Sequence, residues 1–143
     1  VSELARLKLS DIDFQTKEVH LFGKGSKHRT SYMNAKMEVM LKKYLATRED
    51  NGAYLFVTQR KPHNPIGKRG IEQIISGIGK KSGIERPIYP HLIRHTTATN
   101  SLNRGMNVAE VQKILGHAKL DTTMIYAKIS QDSVKFNHRR YII

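Results

Sequence analysis

The sequence lacks cysteine and has no long apolar run. Without cysteine the chain forms no disulfide and no thiolate metal site, and a reducing compartment such as the cytoplasm is permitted. No stretch approaches the roughly 20 apolar residues that cross a bilayer. The opening VSELARLKLS also lacks the basic-then-apolar layout of a signal peptide. We therefore expect a cytoplasmic protein with no membrane partner.

Acidic residues are also scarce. The 143 residues include 25 Lys and Arg but 12 Asp and Glu, which gives a formal net charge of +13. The length and the 38% apolar content suit a single domain with a hydrophobic core. Such an excess of positive charge favours a polyanionic partner, either nucleic acid or an anionic membrane surface. Because membrane attachment fits poorly, nucleic acid is the favoured partner.

The apolar spacing predicts an α+β fold that is mainly helical. Two β-rich stretches, residues 18–22 and 28–32, flank the glycine-containing turn GKGSK, which predicts a β-hairpin with a cationic tip. This hairpin, or a small three-stranded antiparallel sheet, is expected at one edge. An isoleucine stripe in the helix after residue 70 is expected to be core. Helical spacing predicts helices within residues 2–9, 34–45, 71–81, 91–103 and 107–116, and a short strand is predicted at 54–57.

The stretch YPHLIRH places His91, Arg94 and His95 on one face near a helix start, where free backbone N–H groups also favour anions. The acids nearest this stretch are Glu85 and Glu110. Taken alone, such a short motif is more often a solvated basic surface than a site. Three further features each have an ordinary explanation when taken singly: a surface hairpin lysine, a cation after a helix end and a half-buried aromatic. They are Lys24, His117 and Tyr126.

Their joint occurrence in this order resembles a known family. The motifs HLIRH and LGHAKLDTTMIY, preceded by SELARLKLSDID and GKGSKHR, are similar to the catalytic domain of the tyrosine recombinases, also called phage integrases. The resemblance runs from Val1 to about Ser130, and the whole chain 1–143 is expected to be one such domain. It implies a DNA strand-exchange enzyme that cuts and rejoins strands through a 3′-phosphotyrosyl intermediate, without ATP.

Six site residues follow from the resemblance by position. It implies that Tyr126 is the nucleophile, Arg94 a phosphate clamp and His117 a further phosphate contact. This agrees with the chemistry, because attack on a phosphodiester builds negative charge that fixed cations and donors stabilise. Arginine binds two oxygens with its planar fork, which lysine cannot imitate.

The remaining three positions concern proton transfer and support. His91 matches the general acid/base position, and histidine is suited to proton transfer near neutral pH. Lys24, on the hairpin tip, matches the residue that protonates the leaving 5′ oxygen. His95 matches a position that is more often supportive than essential. We expect no metal or other cofactor, since metal-dependent nucleases bind Mg²⁺ through carboxylates and none lies between Arg86 and Ala109.

The resemblance also implies features outside the matched motifs. The family's first arginine falls immediately upstream of Val1, and the family normally has a separate N-terminal DNA-binding domain. We therefore expect residues 1–143 alone to be an N-terminally truncated catalytic domain that cleaves DNA poorly. The family's C-terminal segment often docks on a neighbouring protomer, which here implies residues 131–143. A homotetramer on double-stranded DNA, a monomer when free, and a bacterial, phage or mobile-element origin are expected.

Several basic residues are candidates for phosphate contacts, which give affinity that falls steeply with salt. Two other functions stay open: a type IB topoisomerase, which shares the tyrosine chemistry, and a catalytically silent DNA-binding module. The candidate DNA contacts are Lys27, Arg29, Lys61, Lys68, Arg69, Lys80, Lys81, Arg104, Arg139 and Arg140.

Overall fold

The computed structural model describes residues 1–23, 28–116 and 138–139. It divides into two compact units, Val1–Leu92 and Ile93–Ile143. Within these described ranges, helices outnumber strands and contain more residues in total, as predicted. No helix within the described ranges is long and apolar enough to cross a membrane.

The first unit contains a three-stranded antiparallel sheet. Its strands are β1 (Ile12–Asp13), β2 (Glu18–Phe22) and β3 (His28–Tyr32), in the order β1-β2-β3. Both strands of the predicted hairpin are confirmed, with the same first and last residues. The turn from β1 to β2 is closed by the carboxylate of Asp13, which accepts hydrogen bonds from the backbone N–H groups of Gln15 and Thr16 at 2.7 and 3.1 Å. These bonds stabilise the ionised form and hold the pKa of Asp13 below its ordinary value.

The short strand predicted at residues 54–57 is wrong. Tyr54 and Val57 make single antiparallel bridges, with Lys8 and Pro65, and the third strand of the sheet is β1 instead. The bridge to Lys8 joins segments that are distant in sequence and the bridge to Pro65 is local, but neither extends into a ladder. The β-rich composition of residues 54–57 therefore reflects burial. Leu55 shows this directly, because it is 1% exposed in the core.

Helix α1 (Ser2–Arg6) precedes a 3₁₀ turn at Leu9–Asp11, so the helix predicted within 2–9 ends earlier. Helix α2 (Ala35–Ala46) begins as predicted, because the side chain of Asn34 accepts a hydrogen bond from Met37 N at 2.8 Å. The sheet and α2 enclose one apolar core. Its buried members are Leu7, Val19, Met33, Leu41 and Leu55.

The segment after α2 is anchored by Arg48, whose side chain is 6% exposed. Its guanidinium pairs with Asp50 and donates to the carbonyls of Tyr54 and Gly52 at 2.8 and 3.1 Å. The Arg48 guanidinium lowers the pKa of Asp50 to about 2. This arginine therefore satisfies buried carbonyls and is structural.

Helix α3 (Lys68–Lys81) shows that the isoleucine stripe is only partly core. Ile71 is buried at 5% exposure, whereas Ile74 and Ile78 are 50% and 59% exposed. The buried face follows positions 71, 75 and 79, and residues one position earlier lie about 100° around the helix. The prediction of a core stripe is therefore wrong for Ile74 and Ile78.

Gly79 marks a close approach between α3 and the connector that follows it. A Cβ at this position would lie 2.7 Å from Ile88 Cγ1 and 2.9 Å from Ile88 Cβ, whereas one at Gly77 would meet nothing within 4 Å. We expect Gly79→Ala to lower the free energy of unfolding by about 1 kcal/mol, since overpacking outweighs the gain in helix propensity. The matched variant Gly77→Ala should raise it by about 0.5–1 kcal/mol. Urea unfolding measures both, and shifts in the same direction would contradict this packing.

Helices α4 (Pro90–Asn103) and α5 (Val108–Leu115) follow, both as predicted. In the second unit, Ala98 packs with Val111 and Leu115, which are buried at 1%, 2% and 8% exposure. Helix α4 ends before Gly105, which has a φ of +92° that a glycine adopts without strain. The apolar face predicted for α5 is thus confirmed at its two buried positions.

Candidate nucleic-acid-processing site

The predicted anion-binding face lies in the first two turns of α4. His91, Arg94 and His95 are all within the helix, at spacings of three and four residues. His91 and His95 are exposed and Arg94 is half-buried. The first turn contains no acidic residue. Because Pro90 occupies the first helical position, where its missing N–H costs nothing, the local sequence starts the helix just ahead of these side chains.

Arg94 is held by a neutral group. Its Nη2 donates a hydrogen bond to the carbonyl oxygen of Leu115 at 2.7 Å, which ties α4 to the last residue of α5. Within the described ranges the other N–H groups of this guanidinium have no hydrogen-bond partner. A carboxylate would also orient the arginine but would cancel its charge, whereas a carbonyl leaves the full positive charge for an anion. Among the described residues, Arg94 is therefore oriented without being neutralised.

The end of α5 is built by strong local signals. Asn107 accepts from Ala109 N at 2.8 Å and Glu110 reaches back to Asn107 N at 3.0 Å, which forms the predicted capping box. Gly116 ends the helix in the left-handed conformation, with φ 70° and ψ 34°. The chain therefore leaves α5 directly after the carbonyl that holds Arg94, and His117 is the next residue in sequence.

The structure describes the base of the hairpin, whose turn contains Lys24 in the sequence. Phe22 and His28 are paired across β2 and β3, and their rings meet edge to face with centroids 4.7 Å apart. One pair earlier, Leu21 lies opposite Arg29. The predicted site residues Lys24, His117 and Tyr126 lie outside the described residues, as do Lys27 and Arg140. Their predicted roles, and their convergence with Arg94, stay predictions.

One contact at the hairpin base was not predicted from the sequence. Arg29 Nε and Nη2 donate to the two carboxylate oxygens of Glu3 at 3.1 and 2.8 Å. The side chains are 19% and 26% exposed. Arg29 is a predicted DNA contact, and here its charge is compensated by a carboxylate 26 residues away in sequence. No local pattern signals such a pair.

The other described DNA-contact candidates are exposed. Two of them, Lys68 and Arg69, occupy the first turn of α3, which contains no acidic residue. Within residues 1–23 and 28–116 none of these candidates forms an ion pair, and the described ranges contain no group of three or more His, Asp or Glu residues placed to hold a metal ion. The exposed candidates are Lys61, Lys68, Arg69, Lys80, Lys81, Arg104 and Arg139.

Comparison with known proteins matches residues 1–133 to the phage integrase family. Tyrosine recombinase XerA of Pyrococcus horikoshii is 36% identical over 132 residues, which are 91% of this chain and 46% of that protein. Tyrosine recombinase XerC of Bacillus pumilus is 38% identical over 144 residues, covering 94% of this chain and 47% of that protein.

The fold has a solved counterpart. The crystal structure of XerA recombinase aligns with a TM-score of 0.79 at 31% identity, and the alignment covers 99% of this chain and 52% of that one. The chain thus spans about half the length of the relatives that it matches. The fold and the resemblance that the motifs predict are both confirmed.

Proposed function

The chain belongs to the phage integrase family, and we propose from this membership that it forms the catalytic part of a site-specific tyrosine recombinase. The observation that carries the proposal is Arg94, a guanidinium that a backbone carbonyl orients at 2.7 Å without neutralising it. Such a group is suited to an oxyanion that gains charge during reaction. The relatives named above are tyrosine recombinases, which agrees with this chemistry.

The proposed reaction exchanges one phosphodiester for another. The phenol oxygen of Tyr126 attacks the scissile phosphorus while His91 accepts the phenolic proton. The bond from phosphorus to the 5′ oxygen breaks, and Lys24 supplies the proton that the leaving oxygen takes. Arg94 and His117 bind the non-bridging oxygens as their charge grows, and His95 supports the site.

The product of this first step is a 3′-phosphotyrosyl link. Attack on the link by the 5′ hydroxyl of another strand reverses the step and rejoins DNA. Because the covalent link retains the energy of the phosphodiester, the cycle needs no ATP, and we propose that it needs no cofactor.

The proposed partner is double-stranded DNA in the cytoplasm. A formal net charge of +13 and the exposed cations of α3 support binding to phosphates, with an affinity that falls steeply as salt rises. We propose strand exchange within a homotetramer on DNA, in which residues 131–143 dock on a neighbouring protomer, and a monomer away from DNA. The family membership is the support for both.

A covalent capture experiment tests this function without knowledge of the target site. The protein, with its native upstream sequence, is incubated with a pool of nicked duplexes of random sequence, and covalent complexes are isolated under denaturing conditions. We expect adducts whose recovered DNA shares a sequence. Binding without any adduct would instead support a DNA-binding module. Adducts with no shared sequence, together with relaxation of supercoiled DNA, would support a topoisomerase.

A further inference from the structure

Helices α4 and α5 meet at the smallest side chain of their shared core. Ala98 of α4 is 1% exposed and packs with Val111 and Leu115 of α5. Ala98 also follows Arg94 by one turn, so the two residues share a face of α4. The apolar contact between the helices and the guanidinium of Arg94 therefore lie next to each other.

Leu115 takes part in both of these contacts. Its side chain belongs to the packed cluster, and its backbone carbonyl oxygen accepts the hydrogen bond from Arg94 Nη2 at 2.7 Å. This carbonyl is one of the last four of α5, which have no N–H partner within the helix. The N–H of Gly116, where the helix ends, donates to the carbonyls of Gln112 and Lys113 instead. The Leu115 oxygen is thus left for a side chain of α4 to bind.

The length of this hydrogen bond depends on how closely the two helices approach each other. A bond of 2.7 Å is at the short end of the range for N–H donors, and moving α5 away by about 1 Å would take it beyond hydrogen-bonding distance. A larger residue at position 98 has no open space to occupy, because Ala98 is almost wholly covered. Added volume in a packed core forces backbone shifts and unfavourable side-chain rotamers. A small residue here is therefore a condition for the contact that orients Arg94.

We propose that Ala98 is a positioning residue for Arg94. By keeping α4 and the end of α5 close together, its small side chain allows the Leu115 carbonyl to hold the guanidinium where it meets the non-bridging oxygens of the scissile phosphate. Ala98 is too deeply buried to contact DNA, so it acts through Arg94. This inference rests on the proposed recombinase function, because it assigns a role within that reaction.

A substrate with a methyl group in place of one non-bridging oxygen of the scissile phosphate tests the inference. This methylphosphonate is uncharged, so less negative charge develops during attack and a misplaced guanidinium slows the reaction less. We expect Ala98→Val to form adduct about 10- to 100-fold more slowly than the unmodified protein on the ordinary phosphodiester, the scale of a misplaced catalytic group. On the methylphosphonate the two proteins should react at nearly the same rate. Arg94→Lys, the benchmark, should show the same dependence on the substrate, and every protein in the comparison carries its native upstream sequence.

Three further variants separate positioning from folding. Ala109→Val makes the same change at an exposed alanine of α5 and should alter neither rate. Val111→Ala removes methyl groups from the same cluster without adding volume between the helices, so it should lower the melting temperature and leave the ratio of the two rates unchanged. Adding Leu115→Ala to Ala98→Val makes room for the new side chain and keeps the backbone carbonyl, so it should restore part of the phosphodiester rate. If Ala98→Val fails to fold, Ala98→Cys, which adds one sulfur atom, gives the same comparison with a smaller loss.

Four results would overturn the inference. Equal losses on both substrates would mean that Ala98→Val weakens the fold and does not act through the charge of Arg94. An unimpaired phosphodiester rate in Ala98→Val would mean that the guanidinium is held independently of the helix contact. The same substrate dependence in Val111→Ala would assign the effect to core packing in general. If the unmodified protein forms no adduct on the phosphodiester, the recombinase proposal fails, and the positioning role fails with it.

Discussion

Replacing Arg94 by lysine should slow adduct formation by about 10²- to 10³-fold, the usual effect of losing a donor to a developing oxyanion. Lysine keeps the positive charge and retains a donor for the Leu115 carbonyl, which now accepts from Arg94 at 2.7 Å. One ammonium cannot also form the two-pronged contact with a phosphate. The rate of a single turnover on captured target DNA measures this loss.

A stability measurement separates chemistry from packing in this experiment. Arg94→Lys should keep the melting temperature of the unmodified protein, whereas Arg94→Ala leaves the Leu115 carbonyl without its partner and should lose about 1 kcal/mol of stability as well. Arg86→Lys, the same substitution at an exposed arginine that is not a candidate DNA contact, is the matched control and should keep the full rate. An unimpaired rate in Arg94→Lys would show that Arg94 links two helices and does not clamp phosphate.

Elements with complete local signals were predictable from the sequence. Helix α5 has its cap at Asn107, its box partner at Glu110 and its stop at Gly116, and all three act within the helix itself. The hairpin strands are equally local, because β-rich stretches flank a glycine turn. For the same reason the placement of His91, Arg94 and His95 on one helix could be read from spacing alone.

The errors arise where distant segments decide the outcome. Ile74 and Ile78 have core composition, yet α3 is covered along a different face. The residues around Leu55 have the composition of a strand but form only single bridges, one of which depends on Lys8, far away in the chain. The two contacts that orient Arg94 and Arg29 also span 21 and 26 residues, and no sequence period reports such pairs.

Three carboxylates of the described residues form ion pairs within the first unit. Glu3, Glu38 and Asp50 each pair with a basic side chain of the first unit, and Asp50 holds the guanidinium that anchors the segment after α2. Arg94 is treated differently, since a carbonyl orients it. An arginine that is to stabilise a phosphate must not have its positive charge cancelled by a neighbouring carboxylate. Within the described residues Arg94 meets this requirement, whereas the arginines paired with Glu3 and Asp50 do not.

Tyr126→Phe should abolish the covalent adduct altogether, because phenylalanine retains the aromatic ring but has no oxygen to attack phosphorus. Binding to the same DNA should persist, since the charge that attracts phosphate is unchanged. Denaturing gels measure the adduct and native gels the binding. In the unmodified protein, mass spectrometry of the digested adduct should find the nucleotide on the peptide that contains Tyr126.

The matched control is Tyr89→Phe, which removes a hydroxyl from a tyrosine that is 52% exposed just before α4. This variant should form adduct at the full rate. That result would show that removing a tyrosine hydroxyl elsewhere does not cause the loss of adduct seen in Tyr126→Phe. Adduct formation by Tyr126→Phe, or a nucleotide on a different peptide, would assign the nucleophile to another residue. Because Arg94 and Tyr126 act on one phosphate in the proposed reaction, Arg94→Lys should slow the appearance of this same adduct without moving it to another peptide.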